Sequence, residues 1–246
     1  MLYKSILKCK QIAIKLIAIQ AIIMPATVLI SHAGSLSVNV VDRDGKPAVN
    51  AVVMVYPSAP TPSTQAPPSA LTVSQASMQF SPAVALVQVG AKVTFVNNDP
   101  WDHHVRGSAA GVKEFSSGTA DGFSFRLSGK TSGATGSSSS AANKISSVVT
   151  FDKAGVTLLA CYLHGSMTGH IVVSDTPWAA KTDADGVATF SDMPDGVVQI
   201  KTWHAAQFVD ITPINNAIKP GANQAKMQLS VGIASKRRVT SPPEYK

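Results

Sequence analysis

The chain has 246 residues, of which 45% are hydrophobic, and its formal net charge is +7. This length is enough for one large or two small β domains. Four of the positive charges are lysines within the first 33 residues, so the remainder of the chain is near +3. Such a mild charge does not favour a nucleic-acid partner.

Residues 1–33 have the features of an export signal: a basic start, an apolar run from Leu16 to Ile30, and a small-x-small pattern ending at Ala33. The run is too short and too interrupted to predict a membrane span. We therefore expect a periplasmic or secreted chain with no stable membrane span, cut after Ala33. A retained N-terminal anchor is the alternative.

Export changes the cysteine count. Cys9 leaves with the signal, so Cys161 remains as the single cysteine and no intramolecular disulfide is possible. A lone thiol in an oxidising compartment is better explained as a metal ligand than as an idle side chain.

Two strands are predicted at the start of the exported chain. Ser35–Val41 alternates between apolar and polar residues, whereas Ala51–Tyr56 is apolar on both faces and should be buried. Residues 58–75 are predicted to be a linker, because four prolines stand among Ser, Thr and Gln in their first part.

Residues 76–174 form the central β-rich segment. Its polar loop, Asn97–Asp102, precedes a short strand that begins at His103, and its Gly/Ser-rich residues 128–143 are predicted to be a flexible insertion. The predicted strands are Met78–Pro82, Ala83–Val89, Lys92–Asn97, His103–Arg106, Phe123–Leu127, Ile145–Phe151, Val156–Cys161 and Thr168–Val173.

Residues 175–233 follow a third pattern of turns and short strands, and residues 234–246 are a tail. Strands are predicted at Val187–Phe190, Val197–His204, Phe208–Thr212 and Ala225–Val231. No apolar period of 3.6 residues is sustained, so the fold class is all-β, with two sandwiches. The second sandwich has too few strands alone, and residues 34–57 could complete it, with the central segment inserted between.

The residues that carry chemistry lie on one loop, where Cys161, His164 and Met167 follow the spacing C-x2-H-x2-M. Thiolate and imidazole are ligands that copper and zinc favour, and a thioether favours copper. A blue-copper centre needs a second imidazole, which His103 supplies in preference to His104, since adjacent strand residues point to opposite faces. The predicted ligands of one type 1 copper ion are therefore His103, Cys161, His164 and Met167.

Three ligands on one loop and a fourth from a distant strand leave no open position for a substrate. This set indicates an electron carrier between transient redox partners and not an enzyme. Leu163, Gly165 and Trp101 could form a small apolar collar for a partner. The alternatives are copper storage or delivery, which uses the same ligands with faster exchange, and a non-redox structural sandwich.

Other histidines and acids have simpler explanations. His170 is interpreted as a partly exposed strand residue, and His204 as a packing or capping residue of the second sandwich. Asp183, Asp185 and Asp195 are better explained by turns than by calcium, because no bidentate Glu follows.

The segment Met78–Ser174 resembles the cupredoxin family, in particular its plastocyanin/amicyanin branch. The resemblance rests on Phe80-Ser81-Pro82, Val87–Gly90, Val93–Asp99, His103 and Cys161–Met167. It implies a Greek-key β-sandwich with one type 1 copper ion. His104 and Leu163 depart from the Asn and Pro that are common in that family, which bears on the surroundings of the ligands.

The flanks carry a second resemblance. Val40–Val55 and Thr182–His204 are similar to the two ends of a carboxypeptidase-regulatory or transthyretin-like β-sandwich. The whole arrangement resembles exported methylamine utilisation proteins, which implies a redox partner.

Overall fold

The structure, a computed structural model, describes residues 34–110, 122–130 and 144–233. These residues form sixteen strands in four sheets, so the all-β prediction is confirmed. No helix among them is long and apolar enough to cross a membrane. The predicted signal, most of the Gly/Ser-rich insertion and the tail lie outside the described residues.

The flanking parts of the chain build two of the sheets. One has the order β13-β1-β16 and the other has the order β12-β2-β14-β15, so strands before and after the central segment pair with each other. The strands are β1 (Gly34–Val41), β2 (Val52–Pro57), β12 (Ala179–Lys181), β13 (Val187–Met193), β14 (Gly196–Trp203), β15 (Ile214–Ile218) and β16 (Gly221–Gln228).

The central segment builds the other two sheets, with the orders β5-β11-β10-β7-β8 and β4-β3-β6-β9. Its strands are β3 (Ala70–Ala76), β4 (Gln79–Ser81), β5 (Val84–Gln88), β6 (Ala91–Asn97), β7 (His103–Ala110), β8 (Phe123–Leu127), β9 (Ser146–Phe151), β10 (Gly155–Ala160) and β11 (Thr168–Ser174). The core between these sheets is rich in aromatic residues, with Phe95 fully buried against Phe123 and Phe125.

The two pairs of sheets pack against each other through a third apolar cluster. In β5, Ala85 and Val87 face the core of the central segment, whereas Val84 and Leu86 face the flanking sheets. Strand β2 divides its residues between two clusters in the same way, which explains why it is apolar on both faces. The cluster between the sheet pairs consists of Val52, Met54, Val84, Leu86, Val156, Val172, Ala179 and Trp203.

The predicted linker is shorter than expected. Residues 70–75 belong to β3, which pairs in parallel with β6 and buries Val73 and Gln75. The prolines end at Pro68, and the alternating residues after it have the period of a strand, which the compositional argument overlooked.

The predicted strand Phe208–Thr212 is wrong. Phe208 is 81% and Val209 is 67% exposed, and the strand of this region is β15, which starts at Ile214. Pro213 lacks an N–H group and disfavours a ladder through this point, so pairing with β14 begins after it.

Thr182 joins two turns of the flanking sheets through its buried hydroxyl, which accepts from the Ala51 N–H and donates to the Ala48 carbonyl. We expect Thr182→Val to lower the free energy of unfolding by about 1–3 kcal/mol, because the Ala51 N–H loses its partner in a buried place. Chemical denaturation followed by circular dichroism measures this. The exposed Thr189 of β13 provides the control, since Thr189→Val should change little.

Candidate metal centre

The pairing of β7 with β10 brings the predicted ligands to one end of the central sandwich. These neighbouring strands are antiparallel, and their register pairs Ala160 with Arg106. His103, the first residue of β7, therefore lies alongside the residues that follow β10, the first of which is Cys161. One strand pairing thus brings together His103 and Cys161, which are 58 positions apart in the sequence.

Three of the four predicted ligands converge. The Cys161 Sγ lies 3.7 Å from His103 Nδ1 and 3.6 Å from His164 Nδ1, and the two Nδ1 atoms are 3.2 Å apart. Small divalent metals bind nitrogen and sulfur at about 2.0–2.3 Å, so one ion between these atoms can contact all three. No other group of three or more His, Cys, Asp or Glu side chains with this proximity occurs among the described residues.

Met167 closes the loop. The Cys161 N–H donates to the Met167 carbonyl, and the Met167 N–H donates to the His164 carbonyl, so the backbone folds back onto itself between the predicted ligands. The Met167 side chain is 2% exposed and belongs to the same apolar cluster as Cys161. A thioether in this position is therefore shielded from water by the core.

The ring of His103 is held by Asp99, a residue that the sequence did not single out. His103 is fully buried, and its Nε2 lies 2.7 Å from Asp99 Oδ2. An ionised carboxylate can only accept, so Nε2 carries the proton and Nδ1 presents its lone pair to the centre. The spacing of four residues between Asp99 and His103 was visible in the sequence, but the contact depends on the fold of the loop.

Asp99 also receives two backbone hydrogen bonds, from the N–H groups of Ser77 and Met78. Burial raises the pKa of the Asp99 carboxyl, but the hydrogen bonds from His103, Ser77 and Met78 outweigh burial and bring this pKa below its ordinary value. The carboxylate is therefore ionised at neutral pH. It connects His103 to the turn before β4.

Cys161 receives a hydrogen bond from the neighbouring strand of the same sheet. The backbone N–H of His104 donates to its Sγ at 3.5 Å. This backbone link to the cysteine loop does not depend on which side chain stands at position 104. The His104 ring lies outside this link, where its Nε2 contacts the Ser124 hydroxyl at 2.9 Å.

The centre opens to solvent on one side. His103 and Cys161 are buried, whereas His164 is only half-buried. Of the residues in the predicted collar, Leu163 is 54% exposed, Trp101 is 45% exposed, and Gly165 is also exposed.

Tyr162 adds a contact that the sequence did not predict. Its ring is 61% exposed, lies 4.9 Å from the His104 ring, and carries the Arg106 guanidinium 5.2 Å above it. A cation and a second aromatic ring thus lie against Tyr162, directly after Cys161.

Comparison with known proteins agrees with this chemistry. Residues 68–174 match the family described as copper binding proteins, plastocyanin/azurin family. No curated protein sequence matches the chain.

Solved structures of copper proteins are also similar to part of the chain. A reduced Cu(I) form of an amicyanin variant at pH 4 is 21% identical, with 50% of this chain and 98% of that chain covered and a TM-score of 0.31. An oxidised amicyanin variant is 20% identical with the same coverage and TM-score. The copper-containing nitrite reductase of Thermus scotoductus SA-01 is 22% identical, and the TM-score is 0.31; the match covers 48% of this chain and 23% of that chain.

The family match and the donor set lead to one cofactor. The matched family binds copper, and the described residues bring together a thiolate and two imidazoles, which are ligands that copper accepts readily. The chain is therefore a copper protein, and its residues 68–174 are similar to the plastocyanin/azurin family of copper binding proteins.

Proposed function

We propose that the chain is an exported electron carrier with one type 1 copper ion, held by His103, Cys161, His164 and, at longer range, Met167. The observation that carries this proposal is the convergence of two imidazole Nδ1 atoms on one cysteine sulfur within 3.2–3.7 Å. The bound ion supplies a one-electron couple, and a thiolate with two imidazoles and a weak thioether is the donor set of blue-copper electron-transfer sites.

The residues around the ligands support electron transfer because they restrict movement. Asp99 fixes the orientation of the His103 ring, the His104 N–H holds the cysteine sulfur, and the Met167 backbone closes the loop. A ligand set that keeps one geometry in both oxidation states needs little reorganisation when an electron moves. The apolar cluster that includes Cys161 and Met167 covers one side of the centre, and four protein ligands would leave no coordination position for a substrate.

A docking face for transient redox partners is supported by the exposure of Trp101, Tyr162 and Leu163 beside the half-buried His164. Small interfaces with exposed apolar and aromatic residues are typical of brief electron-transfer encounters. In this proposal the electron passes through the solvent-facing side of His164.

The division into domains is part of the proposal. Residues 34–57 and 175–233 would form one transthyretin-like sandwich, interrupted by the copper segment. Its support is the pairing of β1 with β13 and β16, and of β2 with β12 and β14. The basic and apolar N-terminal residues 1–33 support export to the periplasm or outside the cell.

The visible spectrum of the purified chain with Cu(II) tests the electron-carrier function. We expect an intense thiolate-to-copper absorption near about 600 nm and its complete loss in Cys161→Ser, because the hydroxyl does not provide the soft thiolate. The matched control is His170→Gln, which changes a histidine outside the four ligands and should keep the band. A colourless Cu(II) complex with intact Cys161 would contradict the proposal, and rapid loss of copper to a mild chelator would indicate storage or delivery instead.

A further inference from the structure

A cavity of about 720 Å³ lies between the turn before β4 and the start of β11. Met78, Met167 and His170 line it, and Ala205 closes it from the flanking sheets. None of its lining residues is an acid, so hard cations that prefer carboxylates have no ligand there. Its sulfur and nitrogen donors are two thioethers and one imidazole, beside the hydroxyl and amide side chains of Ser77, Gln79, Ser166 and Thr168.

Met78 occupies an unfavourable position for a methionine. Its φ is 57° and that of Ser77 is 52°, so two consecutive non-glycine residues adopt the left-handed region. Glycine or asparagine would suit this turn better. Core packing does not explain the residue either, because the Met78 side chain is 47% exposed. Ser77 and Met78 form the two-residue turn between β3 and β4, and this turn leaves the Met78 thioether exposed beside the cavity.

The imidazole of His170 is available as a ligand. Its ring lies 5.2 Å from the Trp203 ring, and within the part of the chain that the structure describes no hydrogen-bond partner is found for its ring nitrogens. Burial, and then the neighbouring His204, lower the pKa of His170, so the neutral form that binds metals predominates at neutral pH. His204 is different, since its Nδ1 accepts from the Ala206 N–H and its Nε2 donates to the Val49 carbonyl.

We propose that Met78 and His170 form a second, weaker site that receives Cu(I) from solvent and presents it to Met167. Thioether and imidazole ligands favour Cu(I) over other biological cations. The inference rests on the proposed function, because Met167 is the residue that both sites share. Movement between the sites is a ligand exchange with no change in oxidation state, and the proton that the Cys161 thiol loses passes to solvent.

The test is an anaerobic titration of the full metal-free chain with Cu(I), in competition with a chromogenic Cu(I) chelator. The wild-type chain should bind two equivalents, the second more weakly. In Met78→Leu and in His170→Gln the dissociation constant of the second equivalent should rise at least about tenfold, because one of its two donors is lost. The Met78 side chain is exposed and leucine has a similar volume, so Met78→Leu should keep the fold. Gln79→Ala, in the same cavity lining, is the control and should bind two equivalents.

Two outcomes overturn the inference. Either the wild-type chain binds one equivalent of Cu(I), or the dissociation constant of the second equivalent is unchanged in both variants. Each sample is then oxidised so that its Cu(I) becomes Cu(II), and its visible spectrum is recorded. This spectrum distinguishes a failure of the second-site inference from a failure of the electron-carrier proposal. The absorption near 600 nm reports only the site of Cys161, and it should return fully in the Met78 and His170 variants. Absence of that absorption in the wild-type chain would count against the electron carrier, whatever the number of equivalents bound.

Discussion

Asp99→Asn should weaken Cu(II) binding by about 10–100-fold and raise the reduction potential of the copper ion by on the order of 100 mV. The first effect is the usual consequence of removing a carboxylate that orients a ligating histidine. The second follows from charge: a unit negative charge about 7 Å away, across an imidazole ring, is worth about 2 kcal/mol at an effective dielectric constant of about 20. Asp99 contacts His103 Nε2 at 2.7 Å, and its loss favours Cu(I) over Cu(II).

Protein-film voltammetry and a competitive Cu(II) titration measure the two effects. Asp102→Asn is the matched control, because this nearby acid pairs with Arg126 and accepts from the Gly129 N–H. A potential that shifts equally in both variants would show that Asp99 acts through general surface charge. An unchanged potential in Asp99→Asn would contradict the assignment of His103 as a ligand.

Trp203→Ala should lower the free energy of unfolding by about 3–5 kcal/mol, the largest stability effect that we expect from a single substitution. Trp203 is 4% exposed and belongs to the cluster between the flanking sheets and the five-stranded sheet. Its removal leaves a cavity between elements that cannot close on each other without moving whole sheets. For a chain of this size the loss corresponds to a decrease in melting temperature of about 6–20 °C.

Thermal unfolding followed by circular dichroism and by the copper absorption provides the measurement. Because the cluster is apolar and buried, both probes should report one cooperative transition in the wild-type chain. Trp101→Ala is the control, since Trp101 is 45% exposed and its loss should change stability by less than about 0.5 kcal/mol. Two well-separated transitions in the wild-type chain would mean that this cluster does not couple the sheet pairs.

Local patterns were sufficient for many of the strands. Ser35–Val41 and Phe123–Leu127 alternate in sequence and form β1 and β8 within a residue of the predicted bounds. The pattern failed where apolar residues are exposed, as at Phe208, and where a polar strand is buried, as at Gln75 in β3. Hydrophobic periodicity reports burial only when a neighbouring sheet is present, and a single stretch of sequence does not reveal that neighbour.

The sequence by itself determined the donor set, because C-x2-H-x2-M places a thiolate, an imidazole and a thioether on one short loop whatever the fold around it. Only the tertiary structure decided what surrounds these donors. The Asp99 carboxylate contacts His103, and the His104 N–H donates to the cysteine sulfur. Strand β5 is buried on both faces. All three features depend on loop folding, strand pairing or sheet packing. Such contacts depend on register and on layer order, which are properties of the folded chain and not of any local spacing.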